Sequence, residues 1–196
     1  MIETIKQIDT QWFLFLNGLH NSFFDIFFYY TTITVFWIPL FAYLIYLSVK
    51  KYGGNSWKYL LIIALLILLS DQISVFIKNE IMRYRPSHNL DLKSIIHIVK
   101  NKHGGLYSFV SSHATNTMAL TVFLILTLLR NQRTMYAIMI LYVLIASYSR
   151  IYLGLHYPFD ILAGWITGFV IAVTVYAVFK KRIITFEKSK QGFLRQ

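Results

Sequence analysis

Apolar residues gather along the chain into five long blocks separated by polar interruptions, the longest from Asn79 to Ser112. The first runs from about Ile26 to Val49 and the second from about Trp57 to Lys78. The third covers Ser112 to Leu129. The fourth follows the Arg130–Arg133 turn and ends near Arg150. The fifth runs from Pro158 to Phe179. Each approaches the roughly 20 apolar residues that cross a bilayer as a helix. Pro39 is expected to kink the first block, because a proline inside a helix removes one backbone donor and crowds the preceding turn. Ahead of the blocks, Ile2, Ile5, Ile8, Trp12, Phe15/Leu16 and Leu19 recur at helical spacing. Glu3, Lys6, Gln7, Thr10, Gln11 and Asn17 lie largely off that stripe. This pattern predicts an amphipathic helix lying in the membrane interface. Glu3 and Asp9 interrupt the segment, and no basic stretch precedes an apolar core, so a cleaved signal peptide is not expected.

Composition supports this reading. Of the 196 residues, 57% are hydrophobic and only 14% charged, and the mean hydropathy is +0.55. A soluble domain carries about 25% charged residues. The expected fold class is therefore all-α: an integral membrane bundle of about five transmembrane helices with an N-terminal amphipathic helix. Its expected division is an amphipathic segment 1–24, a transmembrane core 26–180 and a basic cytoplasmic tail 181–196. Cysteine is absent, which removes disulfides and thiolate metal sites. The net charge of +11 points to lipid head groups rather than nucleic acid, because few soluble faces remain to carry it.

Five crossings put the N-terminus, the polar 79–112 stretch and the 150–157 turn on one membrane face. The 50–58 turn, the 130–133 turn and the tail then lie on the other face, with eleven of the nineteen Lys and Arg. Short basic loops stay cytoplasmic. The first face is thus expected outside the cytoplasm.

This topology brings three polar groups together on the outer face. Lys78, Arg83 and Arg85 follow block two; Ser111, Ser112 and His113 open block three; Arg150, His156 and Asp160 bracket the last turn. Ionisable groups at such junctions are expensive near lipid and usually functional. Lys78 is a point charge, while Arg85 and Arg150 can grip oxygens in pairs. Ser111 or Ser112 can cap block three, whose first N–H groups form an anion site. Asp160, four residues after His156, can hold one imidazole nitrogen and leave the other nucleophilic. His113 suits the acid and base role. The set lacks the carboxylate cluster of a magnesium site, so no metal or other cofactor is expected.

Lys78-x6-Arg85-Pro86, Ser111-Ser112-His113 and Ser149-Arg150-x5-His156-x3-Asp160 together resemble the three-part signature of the phosphatidic acid phosphatase type 2 superfamily, which includes glucose-6-phosphatase and the vanadium haloperoxidases. The resemblance covers roughly residues 57–180. It implies a metal-independent phosphatase with a phosphohistidine intermediate. His156 would be the nucleophile, Asp160 its partner and His113 the acid/base. Lys78, Arg85, Ser111, Ser112 and Arg150 would bind phosphate. The second motif departs from the usual Pro-Ser-Gly-His: Val110 and Ser112 replace the proline and glycine.

The leading expectation is an enzyme that hydrolyses a phosphomonoester or diphosphate of a membrane lipid: phosphatidylglycerophosphate, undecaprenyl diphosphate, phosphatidate or a lipid A phosphate. A lipid phosphotransferase, a soluble-phosphoester phosphatase and a non-catalytic lipid-phosphate binder are the alternatives. Binding alone would need only the cations, not His113, His156 and Asp160. Arg83 reads equally as a substrate contact or a surface residue. Asp71, seven residues before Lys78, either tunes that lysine or faces a watery cleft. His20, His88, His97 and His103 read as solvated or head-group contacts, and Tyr107 and Tyr152 as structural.

Overall fold

The computed structural model describes residues 2–193. Seven α-helices account for most of this length: α1 (Ile2–Asn17), α2 (Ser22–Thr31), α3 (Ile38–Tyr52), α4 (Ser56–Ile81), α5 (Ser112–Thr127), α6 (Arg133–Tyr152) and α7 (Pro158–Phe193). Among the described residues there is no β-strand, only an isolated antiparallel bridge between Tyr84 and Tyr107. The all-helical expectation therefore holds. Three stretches are long and apolar enough to cross a membrane: Thr34–Ile81, Arg133–Tyr152 and Pro158–Lys190. The first is not one rod. Gly53 turns the chain with φ +56, and α3 and α4 fold back on one another. That positive φ is strained for any residue with a Cβ.

Helix boundaries depart from the hydropathy pattern in three places. Block one is not a single kinked helix. It divides into α2 and α3, with a 3-10 turn at Thr34–Trp37 between them. Pro39 sits in the first turn of α3, where its missing donor costs nothing, so it starts a helix instead of bending one. Trp37 secures the break by donating its indole N–H to the Thr31 carbonyl at 2.8 Å. At the N-terminus, α1 stops at Asn17, and Asn21 caps α2 by accepting the Phe24 N–H at 3.0 Å. At the other end, α7 continues as helix through Lys180, Lys181 and Arg182 into the segment read as a tail.

The α5 helix runs through the middle of the bundle. Ala114, Thr115, Ala119 and Phe123 on it are fully buried. Its closest neighbour is α7, where Gly164 and Gly168 present a small-xxx-small face. A Cβ at Gly168 would stand 2.3 Å from the Thr115 carbonyl oxygen, and one at Gly164 would stand 2.9 Å from that of Ser111. These two glycines bring the start of α5 against the start of α7, where the second and third motifs lie. Toward the other end, Leu66, Phe123, Leu124, Met139 and Ala172 form the main apolar core.

The α1 helix has two faces. Ile5, Ile8, Trp12, Phe15 and Leu19 are exposed, as expected for side chains facing lipid, though Leu19 lies just past the helix end. Asp9, Phe13 and Asn17, spaced four apart, are buried against the bundle. Asn17 works as a clamp. Its amide donates to the carbonyls of His97, Ile151 and Tyr152 at 3.1, 3.2 and 2.9 Å, and its Oδ1 accepts the His97 N–H at 2.8 Å.

Candidate active site

The three motifs meet at one end of the bundle. α4 ends at Lys78–Ile81, where Met82 adopts φ +51 and returns its N–H to the Lys78 carbonyl at 2.9 Å. The chain then runs extended through Arg83–Arg85 and pairs with 106–108: Arg85 N donates to Leu106 O at 3.1 Å, and Ser108 N to Arg83 O at 2.8 Å. This pairing delivers Arg85 from one side and Ser111 from the other. Arg85 is held by its Nε on Tyr107 O at 3.1 Å and its Nη1 near Leu155 O at 3.5 Å. Gly104, at φ +67, permits this, since a Cβ there would stand 2.9 Å from Arg85 Nη1.

Ser111 is the N-cap of α5: its Oγ accepts the Ala114 N–H, and its own N–H donates to Asp160 O at 3.1 Å. Of the two candidate caps, Ser111 is the one used. Ser112 turns its hydroxyl to Lys78, whose ammonium donates to it. The side chain that replaces the usual glycine thus joins the first motif to the second. His113 is exposed in the first turn of α5. It lies within Coulombic range of Arg150, His156, Lys102 and Lys78.

Arg150 closes α6 and is 5% exposed. Its Nη2 reaches the Thr32 carbonyl at 3.4 Å, while its Nε has no hydrogen-bond partner among the described residues. Its guanidinium also feels that of Arg85. Between α6 and α7, Gly154 at φ +71 turns the chain so that His156 points inward. His156 is buried, with Nδ1 3.5 Å from Asp160 Oδ2, which is too long for a made hydrogen bond. Burial pushes the imidazole down to about 4; Asp160 opposes the shift, and Arg85 and Lys78 reinforce it. At neutral pH the ring is therefore uncharged. Asp160 is fully buried. Its Oδ2 accepts the Tyr157 N–H at 2.8 Å, and its Oδ1 accepts from Arg83 at 2.9 Å.

All eight residues singled out for the site thus converge, and four others join them. Arg83 is neither a surface residue nor a free cation, because it pairs with Asp160 and with Asp9 of α1. Lys102 donates to Thr32 Oγ1 at 2.9 Å and lies within Coulombic range of Arg150. The signal for Asp9 was an acidic residue in register with Phe13 and Asn17. Nothing in the sequence linked Thr32 or Lys102 to the motifs. Asp71 lies within Coulombic range of Lys78. His97 is not a solvated residue: its Nε2 meets Asp25 Oδ1 at 2.7 Å, and its ring stacks on His20 with centroids 3.9 Å apart. Tyr152 is structural, donating to the same Asp25 oxygen at 2.6 Å.

Cations, a capped helix start and two histidines gathered at one end of an apolar bundle define a membrane-embedded phosphatase. The model of the PAP2 superfamily matches residues 55–184. The lipid A 4'-phosphatase of Bacteroides thetaiotaomicron is 38% identical over 174 residues, which cover 86% of this chain and 75% of that protein. The lipid A 4'-phosphatase of Porphyromonas gingivalis is 33% identical over 180 residues, covering 91% of this chain and 75% of that protein. The crystal structure of a transmembrane PAP2 type phosphatidylglycerolphosphate phosphatase from Bacillus subtilis superimposes with a TM-score of 0.69. It has 19% sequence identity and covers 91% of this chain and 87% of that one. The chain belongs to the PAP2 superfamily, as an integral membrane lipid phosphatase.

Proposed function

We propose that this protein removes a phosphate monoester from a phosphorylated glycolipid of the lipid A type, through a phosphohistidine on His156. The observation that carries the chemistry is the buried His156 beside Asp160, with Lys78 and Arg85 in Coulombic range. The substrate class follows from the two relatives similar over nearly the whole chain.

His156 Nε2 attacks phosphorus in line. Its Nδ1–H closes on Asp160 Oδ2, and the carboxylate stabilises the charge that develops on the ring. Lys78, Arg85 and Arg150 meet the charge on the equatorial oxygens. The partnerless Arg150 Nε is one donor for them. The N–H groups at the start of α5, capped by Ser111, are others. His113 gives a proton to the departing sugar oxygen as the P–O bond breaks. It then takes one from the water that attacks the phosphohistidine, which frees His156 and inorganic phosphate.

In this reading α3 to α7 are the five crossings. The site opens to the periplasmic face of a bacterial inner membrane, and the end of α7 lies in the cytoplasm. Single cysteines at Asn101 and Ser189 test the orientation: an impermeant thiol reagent should label only the first in intact cells, and the reverse pattern inverts the topology. The substrate is tested by a panel of lipid phosphates in detergent micelles, with free phosphate measured. Lipid A bearing a 4'-phosphate should give the highest kcat/KM. Faster hydrolysis of phosphatidate, phosphatidylglycerophosphate or undecaprenyl diphosphate, with lipid A untouched, would overturn the assignment.

A further inference from the structure

Asp9 is 1% exposed although it belongs to a helix at the membrane surface. Its Oδ2 forms an ion pair with Arg83 Nη2 at 2.8 Å, without hydrogen-bond geometry, and its Oδ1 accepts the Phe159 N–H at 2.9 Å in the first turn of α7. That second contact satisfies an otherwise unpaired helix donor and places a negative charge at the positive end of α7. Arg83 uses its other terminal nitrogen, Nη1, on Asp160 Oδ1 at 2.9 Å. The guanidinium carbon stands over the Tyr157 ring, 3.8 Å from its centroid, and Tyr157 packs edge-on against Phe13 of α1. One planar cation therefore bridges two buried carboxylates from opposite ends of the chain. This geometry suits the rigid fork of arginine and not the point charge of lysine.

The bridge determines how Asp160 is oriented. Arg83 takes Oδ1, so Oδ2 is the oxygen left toward His156 Nδ1 and the Tyr157 N–H. Rotation of the carboxylate would break both contacts at once. Without Asp9, Arg83 keeps only one of its two anionic partners and loses the anchor that fixes its plane. We propose that Asp9 and Arg83 are positioning residues for phosphate transfer: Asp9 holds Arg83, and Arg83 holds the Asp160 carboxylate against the His156 imidazole. The proposal rests on the roles assigned above to His156 and Asp160. It makes the interfacial helix α1 part of the catalytic apparatus, although α1 precedes all three motifs.

Purified full-length protein carrying Asp9→Asn, Arg83→Lys, both changes together, Asn17→Ala or His156→Ala would be assayed for kcat, KM and melting temperature with lipid A in detergent micelles. Asn17→Ala loosens α1 without touching Arg83, so it reports what docking alone contributes. Misplacing a catalytic group by about 1 Å can cost on the order of 10²-fold. Asp9→Asn should lower kcat by about tenfold and Arg83→Lys by more, with KM within about twofold. The double variant should be no slower than Arg83→Lys alone, because Asp9 acts through Arg83. Asn17→Ala should lower the melting temperature while keeping kcat within about twofold. A wild-type kcat in Asp9→Asn, an equal kcat loss in Asn17→Ala, or additive losses in the double variant would overturn the proposal. Should Asp9→Asn fail to fold, a folded Arg83→Lys with wild-type kcat overturns it equally. Turnover by His156→Ala would instead defeat the phosphohistidine reading; an inactive His156→Ala beside a fully active Asp9→Asn defeats only the positioning role.

Discussion

Arg150, at the end of α6, is 5% exposed, while Arg130 and Arg133, at the start of the same hairpin arm, are exposed. The contrast extends over the two ends of the bundle. At the motif end Arg83, Arg85 and Lys78 surround a fully buried Asp160, and Arg150 lies within Coulombic range of Arg85. At the other end Lys180, Lys181 and Arg182 are exposed, and Lys51 shares itself between the Thr127 carbonyl and a half-exposed Glu187 at 3.7 Å. Exposed cations are solvated and contribute little. Buried ones lose several kcal/mol of hydration unless partners compensate. Here the compensation is incomplete: Arg150 Nε and His156 Nδ1 have no hydrogen-bond partner among the described residues. The same residue types therefore carry different information at the two ends. On one they are exposed and solvated. On the other, clustered and under-paired, they mark where an anion belongs.

The sharpest way to break this comparison is to remove the nucleophile. His156→Ala should abolish turnover of every substrate in a free-phosphate assay, and residual lipid hydrolysis above about 1% of wild type would relocate the chemistry. His113→Ala comes next. An alkoxide needs a proton to leave, and general acid catalysis contributes about 10²–10⁴-fold. Lipid hydrolysis should fall by that factor, while release of nitrophenolate from a nitrophenyl ester in the first turnover should fall far less. Equal losses on both substrates would remove His113 from the leaving-group step. The smallest effect is expected at the opposite end. Arg130→Gln and Arg133→Gln should leave kcat within about twofold, since surface changes there touch no part of the site. A tenfold loss would mean that the two ends are coupled.

The site was legible in the sequence to the extent that its residues are local. Lys78 and Arg85 flank a helix end, Ser111 to His113 open a helix, and His156 and Asp160 are one turn apart, so spacing alone aligns them. The topology then placed the three groups on one face. Asp9, Thr32 and Lys102, and the carboxylate partners of Arg83, were illegible for the opposite reason. Their partners lie far along the chain, with Arg83 and Asp160 separated by 77 positions. Hydropathy also misread the first apolar block. An average over residues does not register that Ile33 turns the chain, or that Pro39 begins a helix instead of interrupting one. The α5–α7 contact rests on Gly164 and Gly168, which the apolar pattern did not single out, and their role appears only once Ser111 and Thr115 are seen against them. Ser112 is a middle case. Its departure from glycine was visible, and its use, as an acceptor for Lys78, was not.

The most direct test of a phosphohistidine on His156 is rapid-quench analysis of His113→Ala with a nitrophenyl phosphate ester. Transfer to His156 should still proceed, while attack of water on the intermediate should be slow without its base. The account predicts a burst of about one nitrophenol per enzyme, followed by a slow steady state. Acid-labile phosphate should be recovered on the peptide that contains His156. A linear time course with no phosphate on the protein, or a burst from His156→Ala with the label on His113, would contradict it.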